Sequence, residues 1–220
     1  MKNQFILSIV LLIVLQGCSN EDIYLTGNGE VKSHALSVNS FDGISIEGKL
    51  NLRITQSLTQ TVSIETTDLI YSYMEWSVKN NTLYVGFDKN VRFRDNNIEI
   101  WVNISVPDLK SISASGINDI ISEGDLTLQQ LVINLSGIAS VSLSGTVNDQ
   151  HIEVSGTAHI NNYNFQSQKT SIEISGIGYI ELYCAELLDI NVSGDATVSY
   201  KGHPSIVQRS TGVLELLDGN

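Results

Sequence analysis

A nine-residue phrase occurs five times between residues 112 and 198, and it limits what this chain can fold into more than any other feature. It reads apolar–x–apolar–Ser–Gly–x–small–x–apolar. The copies are Ile112–Ile120 (ISASGINDI), Ile133–Val141 (INLSGIASV), Ile152–Ile160 (IEVSGTAHI), Ile172–Ile180 (IEISGIGYI) and Ile190–Val198 (INVSGDATV). The small position is Asn118 in the first copy and Ala or Gly in the rest. The glycines Gly116, Gly137, Gly156, Gly176 and Gly194 follow one another at steps of 21, 19, 20 and 18 residues, the spacing of a stacked repeat. Alternation with period 2 marks a strand with one buried face, and Ile, Val and Leu on that face suit a pleated sheet. A lone strand of this length cannot bury its apolar side. Stacking the next copy about 4.8 Å away buries it continuously and pairs the backbone. A coil of 18–21 residues goes once around a narrow core and leaves no room for a helix in every repeat, so the class is an all-β, single-stranded parallel β-solenoid.

A glycine that returns once per coil marks a corner, either through a positive φ or through close backbone approach. The serines before it (Ser115, Ser136, Ser155, Ser175, Ser193) then form a column whose hydroxyls can bond one another or the turn. A row of serines could be a row of nucleophiles, but no histidine column accompanies it, and a structural ladder is the better reading.

The phrase Ser115-Gly116-Ile117-Asn118-Asp119, following the run Ile98–Lys110 (IEIWVNISVPDLK), resembles the bacterial family called putative auto-transporter adhesin, head GIN domain. Gly116-Ile117-Asn118 carries the three letters of that name, and the resemblance spans roughly residues 37–200. It implies a right-handed parallel β-solenoid, a cell-envelope protein of a kind often made as a lipoprotein, and an adhesin-like role. It brings no catalytic residues to carry over.

The first 17 residues read as a lipoprotein signal peptide. Lys2 supplies a positive start, Phe5–Leu15 an apolar segment too short to span a bilayer comfortably, and Leu15-Gln16-Gly17-Cys18 resembles a bacterial lipobox. Cys18 is then the lipidated, mature N-terminus. Residues 18–36 are expected to be a tether and residues 37–220 the solenoid domain. Ser19, Asn20, Glu21 and Asp22 make an acidic start that resembles surface-export signals of Bacteroidetes-type lipoproteins. The expected location is the cell envelope, on the outer membrane. Loss of Lys2 leaves 11 basic against 24 acidic residues, a charge of −13. That balance argues against nucleic acid as a partner and against electrostatic docking on anionic lipid, so membrane attachment falls to the acyl chains.

Within the domain, Ile44–Ile54 echoes the repeat with Glu47-Gly48 in place of Ser-Gly. Asp68 is placed to cap a short helical turn, and Asn80-Asn81 to turn a hairpin. Arg92-Phe93-Arg94 reads as a solvated loop and residues 161–170 (NNYNFQSQKT) as a protruding one. Ser144-Gly145 is an extra corner, expected to tolerate substitution better than Gly156. Ser210-Thr211-Gly212 opens a degenerate last coil.

No catalytic or metal-binding constellation emerges, and no cofactor is expected. Cys184 lies between Leu182 and Leu187 without an activating base and reads as structural. His34, His151, His159 and His203 lack zinc-ligand spacing, and Asp119, Asp125 and Asp149 form no calcium repeat. Glu153 and Glu173 stack one coil apart, a separation compatible with a glycosidase pair, but nothing indicates a cleft around them. The chain therefore reads as a non-enzymatic adhesin-like or scaffold module, with a polysaccharide-acting enzyme as the alternative. Its expected partners are the membrane, through the lipid, and an envelope protein or glycan. Alternation places Asp119, Ser140, His159, Tyr179 and Thr197 outward after the corner, which puts His159 beside Tyr179 and makes that side the candidate interaction face.

Overall fold

The computed structural model describes residues 22–88, 91–94 and 98–220. The signal peptide and Cys18 lie outside the described residues. The described residues are 72% strand and 2% helix, in agreement with the all-β expectation, and the parallel coils stack into a solenoid of about five turns.

The strands run in chain order as β1 (Ile23–Leu25), β2 (Val31–Leu36), β3 (Gly43–Lys49), β4 (Asn51–Gln56) and β5 (Thr61–Thr67). After the single-turn helix α1 (Asp68–Tyr71) come β6 (Met74–Lys79), β7 (Thr82–Phe87), β8 (Val91–Phe93) and β9 (Trp101–Val106). The coils follow as β10 (Ser111–Ser122), β11 (Leu126–Leu135), β12 (Ile138–Ser142), β13 (Gly145–Val154), β14 (Thr157–Ile174), β15 (Ile177–Val192), β16 (Asp195–Lys201), β17 (Ser205–Ser210) and β18 (Val213–Asp218).

Three parallel ladders wind around one apolar core. Ile44, Ile112, Ile133, Ile152, Ile172 and Ile190 stack in the first. Leu52, Ile120, Val141, Ile160, Ile180 and Val198 stack in the second. Leu128, Val147, Ser167 and Cys184 form the third. The aliphatic members of all three are buried. Each fully buried Ile or Leu contributes about 1.5–3 kcal/mol, so the ladders carry the array.

The recurring glycine is required by close approach. A Cβ on Gly137, Gly156, Gly176, Gly194 or Gly212 would lie 2.0 Å from the carbonyl oxygen of the glycine one coil earlier. That same oxygen accepts a hydrogen bond from the residue after the next glycine, as in Thr157 N–H to Gly137 O at 2.8 Å and Ile177 N–H to Gly156 O at 2.8 Å. The bond holds the two backbones too near for any side chain. Gly48 joins the column from below, in register with Gly116, and Gly212 continues it into the last coil. Gly145 departs from the expectation set for it. Its φ is +114° and its Cβ would meet Leu126 O at 2.0 Å, so it is at least as constrained as Gly156.

Asn118 occupies the small position of the first copy for a local reason. The chain breaks between β3 and β4 at Leu50, and the Asn118 side-chain amide donates to Gly48 O at 3.1 Å and Leu50 O at 2.8 Å. Polar groups also explain why residues 161–170 form no loop. They continue β14, with Asn162, Phe165, Ser167 and Thr170 buried. Asn162 Oδ1 accepts from Leu143 N–H at 2.9 Å, and Ser167 Oγ bonds both Thr170 Oγ1 and Tyr183 O. Inward polar residues that bond to the neighbouring coil and to one another had the look of solvated ones.

The N-terminal side differs from the expectation in two further places. Residues expected to be tether include β1 and β2. β1 pairs with β8, the segment expected to be a loop, through Ile23 with Val91 and Leu25 with Phe93. β2 lies antiparallel on β5. Leu25 is buried and Ile23 partly so, which is what draws this segment onto the body. Asn80 and Asn81 adopt the positive φ values (49° and 59°) of the expected hairpin turn between β6 and β7. Thr67, one residue before Asp68, caps α1 by accepting from Ile70 N–H.

Candidate functional site

The outward side of the second ladder carries two columns that matter. The position straight after each glycine places Ile117, Ile138, Thr157 and Ile177 in register. Ile117 and Ile138 are each 56% exposed and Ile177 is 43% exposed. Two residues on, Asp119, Ser140, His159, Tyr179 and Thr197 form the second column. The His159 and Tyr179 rings stack with centroids 4.8 Å apart and planes 13° from parallel, and Tyr179 is 50% exposed. The strand spacing of the sheet sets this distance, because one coil separates the two residues. The result is a flat strip of apolar and aromatic side chains open to solvent. The isoleucine column escaped the sequence reading, which treated that position as variable. The signal was there, since three of the five copies carry Ile.

On the first ladder, Ser113, Asn134, Glu153, Glu173 and Asn191 form one outward column. Glu153 and Glu173 are both exposed, on adjacent coils. The corner serines bond to the coil before them through their backbones, as in Ser155 N–H to Leu135 O at 2.9 Å. Of their hydroxyls, Ser193 Oγ donates to Ile174 O at 3.5 Å.

A second alignment was not anticipated. His151, Ser171 and Asp189 follow one another on three coils, beside a groove of about 370 Å³. Their order puts the serine between the other two, whereas a nucleophilic triad needs the histidine in the middle. Asp189 is held by Arg209 at 2.6 Å instead. His34 is spent on packing, stacked on Tyr71 at 4.0 Å. Cys184 is fully buried and its thiol donates to Leu187 O at 3.1 Å, a structural role. Among the described residues, no group of three or more His, Cys, Asp or Glu side chains is placed to hold a metal ion.

No curated protein matches the sequence. Among solved structures, the fold resembles that of a "putative adhesin" from Bacteroides fragilis NCTC 9343, with a TM-score of 0.70 and 23% identity over 88% of this chain and 100% of that one. A "putative lipid binding protein" from Parabacteroides distasonis ATCC 8503 matches at a TM-score of 0.49 and 18% identity, covering 89% of this chain and 100% of that one. At 23% identity the first of these likenesses speaks to fold alone. The family model described as putative auto-transporter adhesin, head GIN domain, matches residues 40–204, which include the glycine column from Gly48 to Gly194 and leave out only Gly212. The chain belongs to that family.

Proposed function

We propose that this chain is a lipoprotein, anchored in the outer membrane through Cys18, whose β-solenoid acts without enzymatic chemistry as an adhesin-like or scaffold module of the cell envelope. The carrying observation is the exposed strip of Ile117, Ile138, Ile177 and the stacked His159–Tyr179 pair. Several large apolar side chains exposed on one face mark interaction sites. Aromatic side chains with a polar edge are common anchors in such contacts. The partner in this reading is an envelope protein or glycan laid along the flat sheet.

Mass spectrometry of the mature N-terminus tests the anchor, with a diacylated or triacylated Cys18 as the expected species. An unmodified N-terminus at Ser19 or beyond would refute it. For the working face, binding of whole cells or envelope vesicles to immobilised protein should fall at least about tenfold in the double variant His159→Ser, Tyr179→Ser. The pair Glu153→Gln, Glu173→Gln should leave it unchanged. Depolymerisation of a polysaccharide that is abolished by the glutamate pair would establish the enzyme alternative instead.

A further inference from the structure

Gly86 stands apart from the glycines of the coils. It lies inside β7, its φ is outside the left-handed region, and a Cβ there would meet only Glu47 O at 3.5 Å and Glu47 Cβ at 3.6 Å. Those are ordinary contacts, so packing does not require the glycine. A glycine inside a strand weakens the strand and often marks a place where a ligand's atoms come close to the backbone.

The outer side of β7 supports that second meaning. Gly86 lies on the floor of an open trough of about 920 Å³, within the size range of small-molecule sites. Glu75 on β6 is directly opposite Gly86, and Glu47 on β3 flanks it from the other side. Two residues before it, the Tyr84 ring is 43% exposed and stands between Ser45 and Ser77 in the cross-strand register. Lys79 and Arg92 complete the polar wall. The acids Glu47, Glu75 and Asp88 nearly balance these two bases, in a chain that carries twice as many acids as bases. A near-neutral lining does not select an ion. Carboxylates accept from hydroxyls, ammonium and guanidinium groups donate to them, and serine hydroxyls do both. An aromatic ring covers the apolar face of a compact ring.

We infer that this trough binds a neutral saccharide unit, with Tyr84 against the sugar ring and Glu47 and Glu75 accepting from its hydroxyls. The site shares no residue with the His159–Tyr179 strip, so either can fail without the other. The test is a screen of the purified full chain against an array of neutral gluco-, manno-, galacto- and N-acetylhexosamine oligosaccharides, with hits titrated by calorimetry. Retention of at least one series is expected. Its affinity should drop at least tenfold in Tyr84→Ala and in Gly86→Val, and should be unchanged in Tyr179→Ser. Gly86→Val should melt no lower than the parent. If it does melt lower, Tyr84→Ala decides alone. Retention of charged glycans only, of no saccharide, or of a saccharide whose binding ignores Tyr84→Ala or follows Tyr179→Ser would overturn the proposal.

Discussion

The coils from Ser111 to Asp218 and the segment from Val31 to Val106 build one sheet in different ways, with β1 and β8 in a small sheet of their own. In the coils every strand pairing is parallel, and each coil repeats the contacts of the one before. In the N-terminal segment the parallel run goes on from the first coil through β3 and β4 to β7 and β9, and outside these β2 on β5, β5 on β9 and β6 on β7 are antiparallel. The difference teaches how a repeat is bounded. A parallel coil always presents the next edge, whereas a hairpin turns the chain back and ends the stack. The outermost strands on this side also carry Lys32 and Lys79, charges of the kind that discourage further pairing. Repetition supplies the length of the molecule, and the irregular end supplies both its cap and an open trough of about 920 Å³.

The largest effect that can test this contrast comes from glycine. Gly156→Val should destabilise the full chain by about 3 kcal/mol or more, read from denaturant midpoints, because the new side chain has a backbone oxygen in its place. Gly145→Val should cost at least as much, since positive φ adds to the clash. A loss below about 1 kcal/mol at either site would mean that coils slide apart at little cost, and the column would not set register. In the N-terminal segment the same kind of change has the opposite sign, because Gly86→Ala fills space that is free and should be neutral or stabilising by about 0.5–1 kcal/mol.

Next in size is Asn118→Ala, which gives the first copy the residue most other copies have. It should nonetheless cost about 2 kcal/mol, because the carbonyls of Gly48 and Leu50 lose a buried donor where coil meets cap. A neutral outcome would show that the junction relaxes and that the boundary is softer than its geometry suggests.

The smallest effect concerns the cap's surface. The hydrogen bond from Lys32 to Asp68 holds that carboxyl below its ordinary 3.8. A carboxylate lowered in the folded state stabilises above its unfolded pKa and loses that contribution as pH falls through the lowered value. The parent should therefore lose slightly more stability than Lys32→Met between pH 5 and pH 3, measured by denaturant midpoints at about those values. Equal losses would show that the pair is too solvated to matter.

The coils were largely legible in the sequence because a repeat states its own register. Ile133, Ile152, Ile172 and Ile190 stack as the phrase requires, and His159 meets Tyr179 as alternation requires. What misled was polarity read without partners. Asn162, Ser167 and Thr170 have the composition of a loop, yet they bond to groups of the neighbouring coil and to one another that a single strand does not display. The reason for the glycines was open as well, since close approach depends on a second backbone about 4.8 Å away. The N-terminal segment was the least legible. β1 and β8 are three residues each, too short for a periodic signal, and their partners are 68 residues apart in sequence. The trough belongs to that same segment, assembled from strands that no repeat relates.

The pairing of β1 and β2 with the body also has a mechanical consequence. A pull on the chain at its N-terminal side reaches the three-residue contact of β1 with β8 first, and then the six-residue antiparallel contact of β2 with β5. Both lie outside the coils, and neither includes a residue of the glycine column. Tension is thus relieved by peeling up to about fifteen residues, each adding roughly 3.3 Å of reach, before any coil separates from the next. The irregular end acts as an extensible lead in series with a stiff rod, and the rod keeps its outward faces in register while the lead lengthens.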